Sequence, residues 1–367
     1  MEILAAVAVL AVLIVVHELG HFLAARLQNI HVNRFSIGFG PILWKYQGPE
    51  TEYAIRGIPL GGFVGFPDED PDSTIPPNDP NLLRNRPIFD RAIVISAGVI
   101  ANLIFAYFLL VTQVGMVGIA EVNYLPGVRV PEVATEVSSA AVQAGIKSGD
   151  IILSVDGQEL DASRQAIKSL VQTIQTRPSE AIPMVIQRNG EKLAVTVIPE
   201  KGQDGKGHIG VKLEANANLT RRKAKNPIDA LNAGAVEFQR IVNLTIQGFG
   251  QLISNFSQTA DQLSGPVAIV AIGADIARSD AGNLFSYAAL ISINLAIINI
   301  LPLPALDGGQ LAFLLIEGLR GKPLPNKVQE SVMQTGLMLL LGLGIFLIIR
   351  DTANLAGVEW MHKLLQQ

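Results

Sequence analysis

The sequence predicts a polytopic α-helical membrane protein, about four transmembrane helices with an inserted soluble α+β module. Three observations carry this. Hydrophobic residues make up 49% of the 367-residue chain and charged residues only 16%, against about 25% charged in soluble domains. Four apolar runs are long enough to cross a bilayer. Between the second and third lies a polar stretch with the apolar/polar alternation of strands. Mean hydropathy is +0.37.

The first run, Glu2 to Ala25, is uncharged between Glu2 and the segment His17-Glu18-Leu19-Gly20-His21. It lacks a basic start, and cleavage after Ala24-Ala25 would discard the histidines, so it reads as an uncleaved membrane helix. The second run covers about Ala92–Ala120, the third Leu284–Leu303 and the fourth Val332–Ile349, ending at Arg350-Asp351. Pro266–Ile276 contains Asp275 and is too short to cross alone; it is expected against or partly within the membrane. Arg34, Lys45, Arg56, Arg84, Arg86 and Arg91 follow the first run, and Arg320, Lys322 and Lys327 follow the third. Lys/Arg in short loops stay cytoplasmic. Both loops are placed inside, and the termini and central module outside.

The central module, Val122–Asn216, shows strand patterns at Ile151–Val155 and Met184–Gln187. Asp156-Gly157 and Asn189-Gly190 mark hairpin turns, and helical spacing appears over Ser163–Thr176. Asn226-Pro227 starts an amphipathic helix, read either as an interfacial helix or as packing on the central module. The division expected is 1–120, first membrane half; 121–216, soluble module; 217–283, amphipathic membrane-associated linker; 284–367, second membrane half. The net charge of −4 and the lack of a Lys/Arg stripe argue against nucleic acid as a partner. With no cysteine in the chain, disulfides and cysteine metal sites are excluded.

His17 and His21, four apart, share one helix face, with Glu18 able to reach the same ligand. In soluble proteins this HExxH spacing marks a hydrolytic zinc site with a glutamate base. Ionisable groups within the membrane are costly and are functional candidates by default. A catalytic zinc usually has three protein ligands, so a third must come from elsewhere. The third run ends Asn299-Ile300-Leu301-Pro302-Leu303-Pro304-Ala305-Leu306-Asp307-Gly308-Gly309. Its prolines break the helix just before a carboxylate, and irregular backbone at membrane depth lines a cavity or is buried in protein. Asp307 is therefore a candidate ligand and Asn299 a candidate polar group facing the site. A solvent-exposed helix cap is the other reading of Asp307.

HExxH in the first helix with NxxPxPxLDG far downstream resembles the site-2 protease family of intramembrane zinc metalloproteases, closest to its RseP-like branch. Phe35–Pro41 (FSIGFGP) and Ser264-Gly265-Pro266-Val267 agree. Ile58–Val64 resembles the family's membrane-dipping β-hairpin, and Ser139–Asp150 the core motif of a PDZ domain. RseP carries two tandem PDZ modules, whereas the central module has room for one.

The resemblance implies Zn²⁺ held by His17, His21 and Asp307, with Glu18 as the base. Asn299 would hydrogen-bond the substrate or oxyanion, and an extended substrate would pair near Gly62 and Phe63. It implies an enzyme, a zinc metalloendopeptidase of regulated intramembrane proteolysis. Substrates would be single-span membrane proteins, such as an anti-sigma factor or a signal-peptide remnant, and the PDZ groove would take a peptide or a C-terminus. Gly127–Val130 is the candidate carboxylate loop of that groove. The bacterial branch points to a bacterial inner membrane, an organellar membrane staying open. The competing reading is a non-catalytic zinc-containing PDZ adaptor; a transporter would require paired broken helices, and only one break is evident.

Overall fold

The computed structural model describes residues 1–70, 73–133, 140–202, 204–256 and 263–365. Ser139, the first residue of the PDZ-like stretch, lies outside them. The chain forms two compact units: Met1–Gly118 with Lys223–Gln367, and Ile119–Arg222.

Among the described residues, four helices of the first unit are long and apolar enough to cross a membrane. In lipid the helix satisfies every backbone group internally, which is why these runs are helical despite their many β-branched residues. Helix α1 spans Glu2–Leu27 and α2 spans Ile88–Met116. They cross at small residues, Gly20 against Ala97 and Ala101, which lets the backbones approach closely. The second run was expected to continue to Ala120. The helix instead ends at Met116, where the Val117 and Gly118 N–H groups close on the Gln113 and Val114 carbonyls, and the chain turns into a strand at Ile119.

Strands β1 (Arg34–Gln47) and β2 (Glu52–Gly65) are long and bent. Their pairing folds them into a sheet of four segments. Tyr46 pairs with Tyr53, Tyr53 with Phe35, and Ser36 with Phe63. The order is 44–47, 52–55, 34–37, 62–65. The expected β-hairpin at Ile58–Val64 is thus one edge of a larger sheet, and Gly62–Gly65 is paired on the side of Arg34–Ile37. Exposed Leu43, Trp44 and Tyr46 lie on the opposite edge.

In the second unit, β3 (Ile119–Val133), β4 (Ile151–Val155), β6 (Ile182–Arg188), β7 (Glu191–Val197) and β10 (Val211–Arg222) form a sheet in the order β10-β3-β4-β6-β7. Three short strands, β5 (Gln158–Glu159), β8 (Glu200–Lys201) and β9 (Gly207–His208), complete the unit with helices α3 (Ala140–Gln143) and α4 (Gln165–Thr176). β3 and β10 pair out to Ile119↔Arg222, so the sheet runs past both ends of Val122–Asn216. Ala166, Leu170 and Ile174, one face of α4, enter a core with Val130, Ile152 and Ile186. Gly127–Val130 is not an open loop. Val128 pairs with Ala215 on one side and Ile152 on the other, and a strand hydrogen-bonded on both sides has no backbone left for a peptide.

Back in the first unit, α5 (Pro227–Ser254) begins at Asn226, whose Oδ1 accepts from the Asp229 N–H at 2.8 Å. Its inner face packs on α2. Phe238 meets the Tyr107 ring edge-on, and Ile241 joins Leu109 and Leu110. Helix α6 (Pro266–Ser279) lies against α1 at Ala6. The buried Asp351 carboxylate caps its N-terminus, accepting from the Ala268 N–H at 3.0 Å. The chain closes with α7 (Leu284–Ile300), α8 (Asp307–Arg320) and α9 (Asn326–Leu365).

Candidate metal centre

The site is built by α1, α2 and the junction of α7 with α8. Helical spacing on α1 sets the His17 and His21 rings edge-to-face, centroids 4.8 Å apart. α7 stops at Ile300 because Pro302 and Pro304 cannot donate to the helical ladder. Ala305 takes φ +68°, and α8 restarts at Asp307. The first turn of α8 lies so close to the end of α7 that a Cβ at Gly308 would meet the Leu301 carbonyl oxygen at 2.2 Å. Only glycine fits there, which brings the neighbouring Asp307 to α1. Farther along α8, Glu317 pairs with Arg91 of α2 at 2.8 Å, largely out of solvent.

Three atoms converge. His17 Nε2 and His21 Nε2 are 3.2 Å apart, and Asp307 Oδ2 lies 3.3 Å from the first and 3.4 Å from the second. Tetrahedral zinc, with bonds of about 2.0–2.1 Å, needs donor atoms about 3.3–3.4 Å apart. Two edges of the triangle have that length and the third, at 3.2 Å, is about 0.1 Å shorter. Asp307 Oδ2 is also buried and has no hydrogen-bond partner among the described residues, a costly state for a carboxylate oxygen. The residues present therefore fit a zinc ion, and these three could hold it.

The outer contacts are equally specific. His21 Nδ1 donates to the Val94 carbonyl at 2.8 Å, which leaves Nε2 free to bind a metal. Asn299 Nδ2 lies 3.4 Å from His17 Nε2. The fully buried Asn102 of α2 places Nδ2 3.3 Å from His17 Nδ1. A cavity of about 510 Å³ adjoins the triangle, lined by Glu18, Gly62, Phe63 and Asn299 among others. A Cβ at Gly62 would come within 2.8 Å of Glu18 Cγ, so the sheet edge runs directly past the carboxylate. Arg56 reaches over the Phe63 ring, 5.5 Å from its centroid.

All seven residues singled out in the sequence thus meet around one cavity: His17, Glu18, His21, Gly62, Phe63, Asn299 and Asp307. Sequence reasoning missed Val94, Gly98 and Asn102, all on α2. The amide of Asn102 near the middle of an apolar span was the available signal, since a buried polar side chain in lipid needs a partner.

The chain is 64% identical over 367 residues to "Putative zinc metalloprotease all3971" of Nostoc sp., covering 100% of both. It is 50% identical to "Membrane metalloprotease ARASP, chloroplastic" of Arabidopsis thaliana, over 98% of this chain and 80% of that one. It is 30% identical to "Regulator of sigma-E protease RseP" of Escherichia coli, over 92% and 96% respectively. The description "Peptidase family M50" matches residues 5–343. That match takes in both histidines, the glutamate between them and the distant aspartate, and the chain belongs to peptidase family M50.

Proposed function

We propose that this chain is an intramembrane zinc metalloprotease that hydrolyses peptide bonds within or near the membrane-spanning segments of other proteins. One observation carries the reading: the donor triangle, the Glu18 carboxylate and a sheet edge border one cavity, and the triangle's histidines sit in an apolar spanning helix. The relatives' names support the zinc and the protease. His17, His21 and Asp307 would hold the ion. When bound, it supplies a Lewis acid that polarises a carbonyl and makes water acidic near neutral pH.

The protein's own groups do the rest. Glu18 takes a proton from the attacking water and returns it to the leaving amine. The Asn299 amide donates to the substrate carbonyl as negative charge develops on it. A membrane helix hides its peptide bonds in its own hydrogen bonds, so a substrate must unwind before it is attacked. The free side of Gly62–Gly65 then receives the extended segment by strand addition, which aligns it past Glu18.

The unit Ile119–Arg222 acts as a PDZ-type filter on the non-cytoplasmic side. Its β10 ends the sheet order, and Val211 and Leu213 at its start pack on the same core as α4. An extended peptide or C-terminus adds there. Single-span proteins already trimmed outside the membrane fit both sites. The adaptor reading is disfavoured because structural zinc is closed by four protein ligands, and among the described residues three are assembled here beside a glutamate.

The test is Glu18→Gln in the purified full-length protein with a single-span substrate in bicelles. Cleavage should fall at least about 100-fold with zinc content unchanged. Retained cleavage removes Glu18 as the base and the proposed mechanism with it.

A further inference from the structure

We propose that Asn102 is a positioning residue for His17: its side-chain oxygen accepts the Nδ1 proton and so leaves Nε2 bare for the metal. The inference rests on the metalloprotease reading. The two histidines are held differently. His21 Nδ1 faces a backbone carbonyl, which can only accept, so its proton position is fixed. His17 Nδ1 faces a side-chain amide, which can present either end.

The amide nitrogen and oxygen have the same shape, and the hydrogen-bond network must distinguish them. With nitrogen toward the ring, Nδ1 must be bare and the proton must sit on Nε2. That atom lies 3.2 Å from His21 Nε2 and 3.3 Å from Asp307 Oδ2, so its proton would occupy the corner where the donors converge. With oxygen toward the ring, Nδ1 carries the proton and the lone pair of Nε2 points into the triangle. The outward amide oxygen has no partner among the described residues, and turning the amide over leaves the nitrogen in that place. Internal hydrogen bonding is therefore indifferent, and ligation decides.

Asn102 is well placed for this work. It is fully buried on α2, and the Ser292 hydroxyl of α7 donates to its backbone carbonyl at 2.8 Å. α7 leads on to Asn299 and Asp307, so one contact ties the orienting residue to the helix that delivers the third ligand.

The experiment compares wild type, Asn102→Leu and Asn102→Asp as full-length protein in detergent. Zinc affinity is read by competition with a chromophoric chelator, and the melting temperature is read on zinc-free protein. The leucine variant, which cannot accept, should bind zinc 10–100-fold more weakly, and aspartate, which only accepts, should restore affinity to within about threefold of wild type. Leucine binding as tightly as wild type overturns the proposal. So does aspartate as weak as leucine, or a lower zinc-free melting temperature in both variants with zinc affinity unmoved. Wild type that takes up no zinc overturns the metalloprotease reading itself, a result no Asn102 variant can produce.

Discussion

Gly98 of α2 lies against the His21 ring of α1: a methyl group there would stand 2.3 Å from His21 Nε2 and 2.7 Å from His17 Cε1. The α2 backbone is thus the floor on which both imidazoles rest, and the absence of a side chain sets their height.

Gly98→Ala must displace one or both rings. Overpacking of this kind costs about 1–3 kcal/mol, and here the groups that move are the donors. Zinc affinity is expected to fall at least tenfold, measured by chelator competition. Unchanged affinity would show that the rings move away without leaving the triangle.

Asp307→Ala removes the only carboxylate among the described groups that could hold a metal. Two imidazoles remain, and zinc binding should weaken at least tenfold, about 1.4 kcal/mol or more. Metal content equal to wild type after dialysis against a weak chelator would remove Asp307 from the ligand set.

Strand addition at Gly62–Gly65 predicts an alternation of two. Successive backbone N–H groups point to opposite sides of a strand, toward Arg34–Ile37 or toward the open side. Phe63→Pro and Val64→Pro should separate two behaviours. One parity loses a ladder bond and lowers thermal stability; the other keeps stability and loses cleavage. Equal effects at both positions would argue against a substrate strand.

Asp150 predicts a pH dependence in the unit Ile119–Arg222. Burial pushes its carboxyl up, but two hydrogen bonds from Arg188, at 2.7 and 2.8 Å, and one from the Lys147 N–H outweigh this and hold it below the usual carboxylate range. A lowered folded value gives stability that is present above the unfolded value of about 3.9 and lost as pH falls through the folded one. Proteolysis within this unit should rise in that acid window. Asn at position 150 should flatten the dependence and cost about 1.5–3 kcal/mol at neutral pH; a pH profile like wild type would contradict the assignment.

The sequence carried the spanning helices and HExxH plainly, because charge at membrane depth is conspicuous and histidines four apart can face only one way. Asp307 was readable for a similar reason: prolines at alternate positions past the first turn of an apolar run cannot continue its helix. Asn102 and Gly98 were hidden within a run read by its average hydropathy, where one amide and one glycine barely register. Gly127–Val130 misled because a glycine before alternating valines suits a loop or a strand paired on both sides, and only the partners Ala215 and Ile152 decide. The four-segment sheet was equally illegible, since residues 34–37 pair with both ends of β2 and nothing local encodes that choice.

The distance in sequence between His17 and Asp307 has a consequence for biogenesis. As the polypeptide is made, both imidazoles and Glu18 appear on one helix, while the carboxylate that completes the triangle follows only with α8. Until that later helix is inserted, the nascent protein holds two of the three donors. A centre that needs all three would form only at that point.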